Sequence, residues 1–375
     1  MASKTGPQTN PSRLAIYQIR IQGHLGHQWT DWFDGLVISL EENGDTLLTG
    51  PVVDQAALYG LLRKVRDLGM PLLSVNCVCT SEEDRSNKED NMSGNEQTMD
   101  TLVTTEWLSQ HLDEPDLVVL DCTVTVKPDP VDGFRILSGR AEYDNGHIPG
   151  AGFADLLGDL SDRNSSYWVA MPTPAQFCTA MGTLGVGDDS RVVLYDNNQS
   201  MWAARVWWML RWVGFDRAAL LDGGLKLWTA EERPLLTELP TRPTKQLTPN
   251  VRPKLIANRD EVFAAIDNNA VCLIDTLGAD SYRAQHIPSA ANLDATMLVD
   301  ESGRYRPLDE LTAMHDTLNV GDRNARTITY CGGGVAASSN AFAMIRLGFT
   351  NVAVYAASMQ EWAADPANPL VVAEA

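Results

Sequence analysis

The sequence predicts an α/β chain in which two doubly wound parallel-sheet repeats follow a small α+β domain. Three observations carry this reading. A phrase recurs, GRAEYDNGHIPGA around His147 and DSYRAQHIPSAAN around His286, 139 residues apart. Apolar β runs alternate with helix-period segments in the same order around each copy, as in a parallel sheet covered by helices. The stretch before both copies reads instead as strand, hairpin, helix, strand. A chain of 375 residues has room for two or three domains, at roughly 100–200 residues each.

Residues 1–76 form the small unit. Leu14 to Ile21 (LAIYQIRI) alternates as a strand, and an aromatic stretch, Trp29 to Phe33, follows. Two β-rich runs then flank Glu41-Glu42-Asn43-Gly44, whose Asn-Gly supplies the positive φ angles of a tight hairpin. Asp54 is placed to cap a helix from Gln55 to Leu68, with Ala57, Leu58, Leu61, Leu62, Val65 and Leu68 on one face. Gly69 stops it, and Pro71 to Val75 returns as a strand. This unit resembles short, uncharacterised bacterial proteins that share its WxxWFDGL and GPVVDQAAL segments. The resemblance implies a family but no activity, and the expected role is interaction or regulation. Residues 77–100 are an acidic, flexible linker: positions 80–100 carry seven acids against two bases and almost no large apolar residue to offset their ordering entropy.

Charge and cysteine usage exclude several classes. Lys and Arg total 29 against 49 Asp and Glu, a net charge of -20 that repels nucleic-acid backbones and anionic membranes. No run approaches the ~18 apolar residues of a membrane span. The segment MASKTGPQTNPSR carries no apolar signal core, so a cytoplasmic location is expected. The six cysteines are scattered and read as reduced thiols. Cys77-Val-Cys79 and the HLGH pair His24 and His27 are weak metal signals that a strand end and a polar turn explain as well, and no metal or cofactor is expected. No GxxxxGK or GxGxxG segment is present.

The repeats occupy 101–240 and 257–375, joined by a linker at 241–256. Around the repeated phrase, the first reads DLVVLD, RVVLYDNNQ, SMWAARVWWMLRWVGF and AALLDGGLKLW; the second reads AVCLIDT, RTITYCGGG, VAASSNAFAMIRLGF and NVAVYAASMQEW. Each holds a β run ending in a special residue, then a long amphipathic helix and a closing strand. His147 and His286 read as scaffold residues, because each repeat keeps one whether or not it holds a nucleophile.

The chemistry concentrates at Cys331. It ends the run Ile328-Thr329-Tyr330 and precedes Gly332, Gly333, Gly334, Val335 and Ala336, at the start of a helix of small residues. This sets the sulfur at the C-terminal edge of a parallel sheet, above a helix N-terminus. The glycines let several N–H groups converge on one point, a nest that favours a thiolate or the terminal sulfur of a persulfide. Cys122, Cys178 and Cys272 lie within strand or helix patterns and are expected in the core.

With these motifs in view, residues 101–375 resemble the tandem-repeat sulfurtransferases of the rhodanese family, which includes thiosulfate and 3-mercaptopyruvate sulfurtransferases. The matching segments are GRAEYDNGHIPGA, MPTPAQF, VVLYDN, AARVWWMLR, LLDGGLKLW and YCGGGVAAS. The resemblance implies two rhodanese-like repeats, the first non-catalytic with Asp196 in the place of the cysteine, the second catalytic. It implies that Cys331 carries a sulfane sulfur from a small anionic donor to a thiol acceptor such as thioredoxin or glutathione, or to cyanide, in a ping-pong reaction. Gly332 to Ala336 would be its cradle. Arg205 matches the family arginine that faces the site from the first repeat and would attract the donor; the competing reading is an interdomain ion pair. Trp207, Trp208 and Trp212 are expected to pack the interface.

Two positions depart from the family. Mercaptopyruvate-type members read CGSGVTA where this chain has CGGGVAA, so Gly333 lacks a hydroxyl; with no cationic side chain in the loop, the expectation leans to mercaptopyruvate or a broad donor range. Ala356 aligns with Asp222, where second repeats usually keep the aspartate, so reduced loop rigidity or activity is expected. A phosphatase on this fold would need an arginine six positions after the cysteine, and position 337 is alanine. The remaining alternative is a non-catalytic persulfide-sensing or partner-binding protein. Residues 100–375 are expected to fold and act without the first domain.

Overall fold

The computed structural model describes residues 15–26, 29–30, 32–33, 36–40, 44–52, 55–78, 99–130, 133–318 and 322–373. The Glu41–Asn43 part of the expected hairpin turn, the Asp54 cap, His27, Cys79 and most of the acidic linker lie outside these residues. The chain divides into two units, Met1–Gln97 and Thr98–Ala375.

In the first unit, alternation in Ala15–Ile21 buries Ile19 and Ile21 in one cluster with Leu48, Val52, Phe33 and the helix residues Leu61 and Val65. The strands form an antiparallel sheet in the order Val37–Leu40, Thr46–Val52, Ala15–Ile21, Leu72–Val78, and helix Gln55–Asp67 contributes Leu61 and Val65 to the core. The last strand runs to Val78, beyond the expected boundary at 76, because Ile16 and Tyr17 pair with Val78 and Cys77. Thr46 ties the entry loop down: its hydroxyl donates to the Gly23 carbonyl at 2.6 Å and accepts from the Leu25 N–H at 2.9 Å.

The second unit holds two five-stranded parallel sheets of the same topology. Across the first, the order is Leu102–Val103, Ala218–Leu221, Arg191–Tyr195, Leu117–Asp121, Gly152–Phe153. Across the second, it is Ile256–Ala257, Val352–Tyr355, Arg326–Tyr330, Val271–Asp275, Ala291–Asn292. The central strands Leu117–Asp121 and Arg191–Tyr195 are almost wholly buried, which is why they read as continuous apolar runs rather than alternating ones. Ile256 begins the second sheet one residue inside the segment expected as linker, and Met99 packs against the first repeat's core. Three helices start at a side-chain cap: Thr104 accepts from the Trp107 N–H, Thr173 with Pro174 behind it accepts from Gln176, and Asn258 accepts from Glu261.

Matched side chains repeat the same bonds in both halves. Tyr143 donates to the Ala151 carbonyl and stacks on His147; Tyr282 donates to Ala290 and stacks on His286. The hydroxyls of Tyr195 and Tyr330 accept the N–H groups of Ile148 and Ile287. Both histidines face backbone carbonyls through Nδ1 and serve the scaffold, as expected. Among the described residues the first repeat alone contains a further hairpin, Val124–Asp129 with Gly133–Ser138, which the sequence reading missed.

The helices that follow the special residues, Met201–Trp212 and Val335–Arg346, are not amphipathic. Trp202 through Leu210 are all buried, as are Ala337 through Met344, because each helix lies between its own sheet and the other helix. Small residues at Ala203, Ala204, Ala337 and Ala341 admit this approach, and aromatic rings fill what is left: Phe342 meets Trp207 edge-on at 4.9 Å and Tyr305 at 5.0 Å. Trp208 donates its indole N–H to the Leu255 carbonyl, and Trp212 is buried in the same core. Phe342→Ala is expected to destabilise this unit by about 3–5 kcal/mol; a urea titration followed by tryptophan fluorescence reads it as a lower midpoint, and an unchanged midpoint would show that the seam does not hold the repeats together.

Candidate active site

The seam between the two long helices brings Cys331 and Arg205 together. Strand Arg326–Tyr330 delivers Cys331 to the sheet edge, and Gly334, at φ +81°, turns the chain into helix Val335–Arg346. That turn needs glycine twice over, since a Cβ would also meet the Ala356 carbonyl oxygen at 2.5 Å. Cys331 is 2% exposed, and its sulfur accepts the Gly334 N–H at 3.1 Å. Gly332 is half-buried and Gly333 buried; Val335 is buried and Ala336 half-buried at the first helical turn, where N–H groups have no partner within the helix.

The loop is braced from the segment after the last strand. The Cys331 N–H donates to Ser358 Oγ at 3.1 Å, Met359 N–H donates to the Cys331 carbonyl at 3.0 Å, and Gln360 N–H to the Gly332 carbonyl at 3.0 Å. Ser358 itself sits at φ 53°, matching Gly224 of the first repeat at +54°. Ala356, where the aspartate was expected, is buried with Gly334 pressed against its backbone, so the brace runs through Ser358, Met359 and Gln360.

Arg205 lies one turn into helix Met201–Trp212 and is fully buried. Among the described residues no carboxylate pairs with it, so the interdomain ion pair weighed above is not what it makes. Nη2 donates to the Val169 carbonyl at 3.2 Å, while Nε and Nη1 have no hydrogen-bond partner among the described residues. Nη1 stands 3.0 Å from where a Cβ on Gly334 would be. Burial pushes its pKa down to about 10, opposed by the charge of Cys331, so it remains a cation at neutral pH. An isolated interior charge costs several kcal/mol unless an anion stands beside it. Val169, whose carbonyl Arg205 holds, is a β-branched residue at φ 45°, a strained backbone beside the site.

Sequence reasoning missed the residues that close the site from above. Trp168 N–H donates to Gln360 Oε1 at 3.1 Å, and Gln360 Nε2 donates back to the Trp168 carbonyl at 3.2 Å. A tryptophan inside the polar loop Asp162–Met171 was the available signal. The other thiols sit apart from this chemistry: Cys122 and Cys178 are buried, Cys272 partly so, and burial pushes the latter two up to about 11.

The first repeat shows what the loop becomes without a thiol. Asp196 takes the cysteine's place, and its carboxylate accepts N–H groups from Asn198 at 2.7 Å, Ser200 at 3.0 Å and Ala203 at 2.8 Å. Leu225 N–H donates to the Asp196 carbonyl at 3.0 Å, the counterpart of Met359 on Cys331. Burial pushes the Asp196 carboxyl up to about 7 despite these donors. Its ordinary value is 3.8, so between about pH 4 and 7 the folded chain holds a proton that the unfolded chain has released. Stability contributed by this group is therefore present at the acid end and lost as pH rises through 7, at up to about 1.4 kcal/mol per pH unit. Asp196→Asn is expected to remove that slope from the pH dependence of unfolding; identical slopes in both proteins would refute the assignment.

The rhodanese-like domain family matches residues 104–231 and 258–365, and a family described as a domain of unknown function matches residues 16–76. A probable 3-mercaptopyruvate sulfurtransferase of Pseudomonas aeruginosa is 34% identical over 288 residues, covering 73% of this chain and 98% of its own length. A putative thiosulfate sulfurtransferase of Mycobacterium bovis is 32% identical over 295 residues, covering 73% and 91%. The crystal structure of the Escherichia coli 3-mercaptopyruvate sulfotransferase SseA superposes with a TM-score of 0.62 at 32% identity, covering 69% of this chain and 99% of that one. No helix among the described residues is long and apolar enough to cross a membrane. With two matched domains, both parallel sheets and near-complete coverage of these relatives, the chain belongs to the rhodanese-like family of sulfurtransferases.

Proposed function

We propose that this chain moves a sulfane sulfur from a small anionic donor, 3-mercaptopyruvate or thiosulfate, through a persulfide on Cys331 to a thiol or to cyanide. The observation that supports it best is the buried, carboxylate-free Arg205 beside a cysteine whose sulfur accepts a loop N–H. The Cys331 thiolate attacks the outer sulfur of the donor. With thiosulfate the S–S bond breaks and sulfite leaves with the electron pair; with 3-mercaptopyruvate the C–S bond breaks and the pyruvate enolate leaves, taking a proton at carbon. The acceptor thiolate or cyanide then attacks the terminal sulfur of Cys331–S–S⁻, and the Cys331 thiolate returns. No external oxidant or reductant is needed.

In this reading Arg205 draws the donor's negative charge to the sulfur, and the N–H groups of Gly332, Gly333, Gly334, Val335 and Ala336 cradle the persulfide. Residues 101–240 are the non-catalytic repeat that supplies Arg205, 257–375 the catalytic one, 241–256 their linker and 77–100 the tether to the first domain. Thioredoxin or glutathione has the thiol chemistry of an acceptor, and the cytoplasm, where such thiols stay reduced, suits the reaction.

Steady-state sulfur transfer to cyanide, run with each donor, tests the proposal. Wild-type protein is expected to turn over and to gain one sulfur mass on Cys331, and Cys331→Ser to do neither. Arg205→Met is expected to lower kcat/KM for both donors about 100-fold, roughly 3 kcal/mol of lost transition-state stabilisation. Folded, reduced protein that fails with both donors would favour the persulfide-sensing alternative. A Met99–Ala375 chain is expected to keep wild-type kcat/KM, and an inactive but soluble one would show that the first domain takes part in catalysis.

A further inference from the structure

Trp168 comes from the first repeat, and nothing in the sulfur-transfer steps above uses it. Its ring lies over the cysteine loop: a Cβ on Gly333 would stand 2.7 Å from Cζ2, 2.9 Å from Cε2 and 3.1 Å from Cη2, and one on Gly332 3.9 Å from Cζ2. The indole thus fills the space into which a side chain at 333 would project. It is held there from several directions. Gln360 grips both backbone polar groups of Trp168, Arg205 holds the carbonyl of Val169, and Trp202 meets the ring at 6.4 Å. Gln360 also ties its own N–H to Gly332, so ring and loop are fixed to one another. The indole N–H has no hydrogen-bond partner among the described residues, and Nε1 is bonded to the Cε2 that crowds Gly333.

We infer that Trp168 is the specificity-determining residue of this site: it replaces a residue-333 side chain with an indole wall that shields Cys331 and favours a planar, singly charged α-keto thiol over a compact, doubly charged thiosulfate. The inference rests on Cys331 being the sulfur carrier. The reason for the preference lies in the ring. Its face carries partial negative charge and repels a dianion more than a monoanion, and a flat keto acid packs along an aromatic wall where a tetrahedral anion does not. The one polar feature, the free N–H, can bind an oxygen of the donor. Glycine at 333 follows from the same geometry, since any Cβ would strike the ring.

The test uses full-length protein with Trp168→Ala, Trp168→Phe, Gly333→Ser and the Trp168→Ala/Gly333→Ser double variant, each checked for folding by circular dichroism. Trp168→Ala is expected to raise the rate of Cys331 alkylation by iodoacetamide at least tenfold and to lower the 3-mercaptopyruvate to thiosulfate ratio of kcat/KM at least tenfold. Trp168→Phe, which keeps a wall, should stay within threefold of wild type in alkylation rate. Gly333→Ser should cost at least tenfold in kcat/KM in the wild-type background and under threefold beside Trp168→Ala. An unchanged alkylation rate, an unchanged donor ratio, or serine effects that are equal in both backgrounds would each overturn the inference. If Trp168→Ala does not fold, Trp168→Leu takes its place in every comparison. Wild-type protein that gains no sulfur on Cys331 sinks the underlying transfer reading instead, while the alkylation rates still decide whether Trp168 is a wall.

Discussion

Burying an arginine without a carboxylate costs several kcal/mol unless something else supplies the opposite charge. Arg205 is in that position, and the two long helices are arranged around it. Because Met201–Trp212 and Val335–Arg346 lie against each other, a side chain from the first repeat reaches the loop at the N-terminus of the second repeat's helix. Cys331 gains a cationic neighbour that its own loop, with three glycines and no basic residue, does not provide. Neither repeat alone assembles the pair, since Arg205 lies in the first and Cys331 in the second.

The aspartate also shows how little the loop has changed. In both repeats the special residue follows a buried strand, its carbonyl accepts an N–H from the segment after the last strand, and its side chain accepts backbone N–H groups at a helix start. In the first repeat a carboxylate fills the nest with three such bonds. In the second the sulfur takes one, leaving donors of the first helical turn uncommitted. A nest already satisfied by its own side chain has fewer donors left for an incoming anion.

Closure of the site is a further consequence of the seam. The loop Asp162–Met171 of the first repeat reaches across and is pinned by Gln360 and Arg205, at the expense of a strained backbone at Val169. The same residues that hold the electrostatics therefore hold the cover, so Cys331 is nearly inaccessible while Arg205 stays dry. Exclusion of water strengthens the attraction between the guanidinium and any anion beside it.

Much of this was legible in the residues. The repeated phrase fixed two copies of one topology, Pro and Gly marked its turns, and Cys331 followed by Gly332, Gly333 and Gly334 marked an anion nest, because these signals act locally through backbone conformation and hydrogen-bond donors. Arg205 was legible only through the family resemblance. The long helices were read as amphipathic, yet Trp202 through Leu210 are buried all round: periodicity reports one apolar face and cannot say that a second helix will cover the other. The hairpin at Val124–Asp129 and Gly133–Ser138 interrupts one repeat only, and alternation that short does not stand out. Trp168, Gln360 and Ser358 were invisible as site residues, since Ser358 braces the cysteine from 27 residues away and Trp168 is bound to Gln360 across 192. Sequence by itself determined which atoms could do chemistry, a thiol in a glycine nest; only the tertiary structure decided which charge and which ring stand over it, because those distances are set by how two buried helices pack.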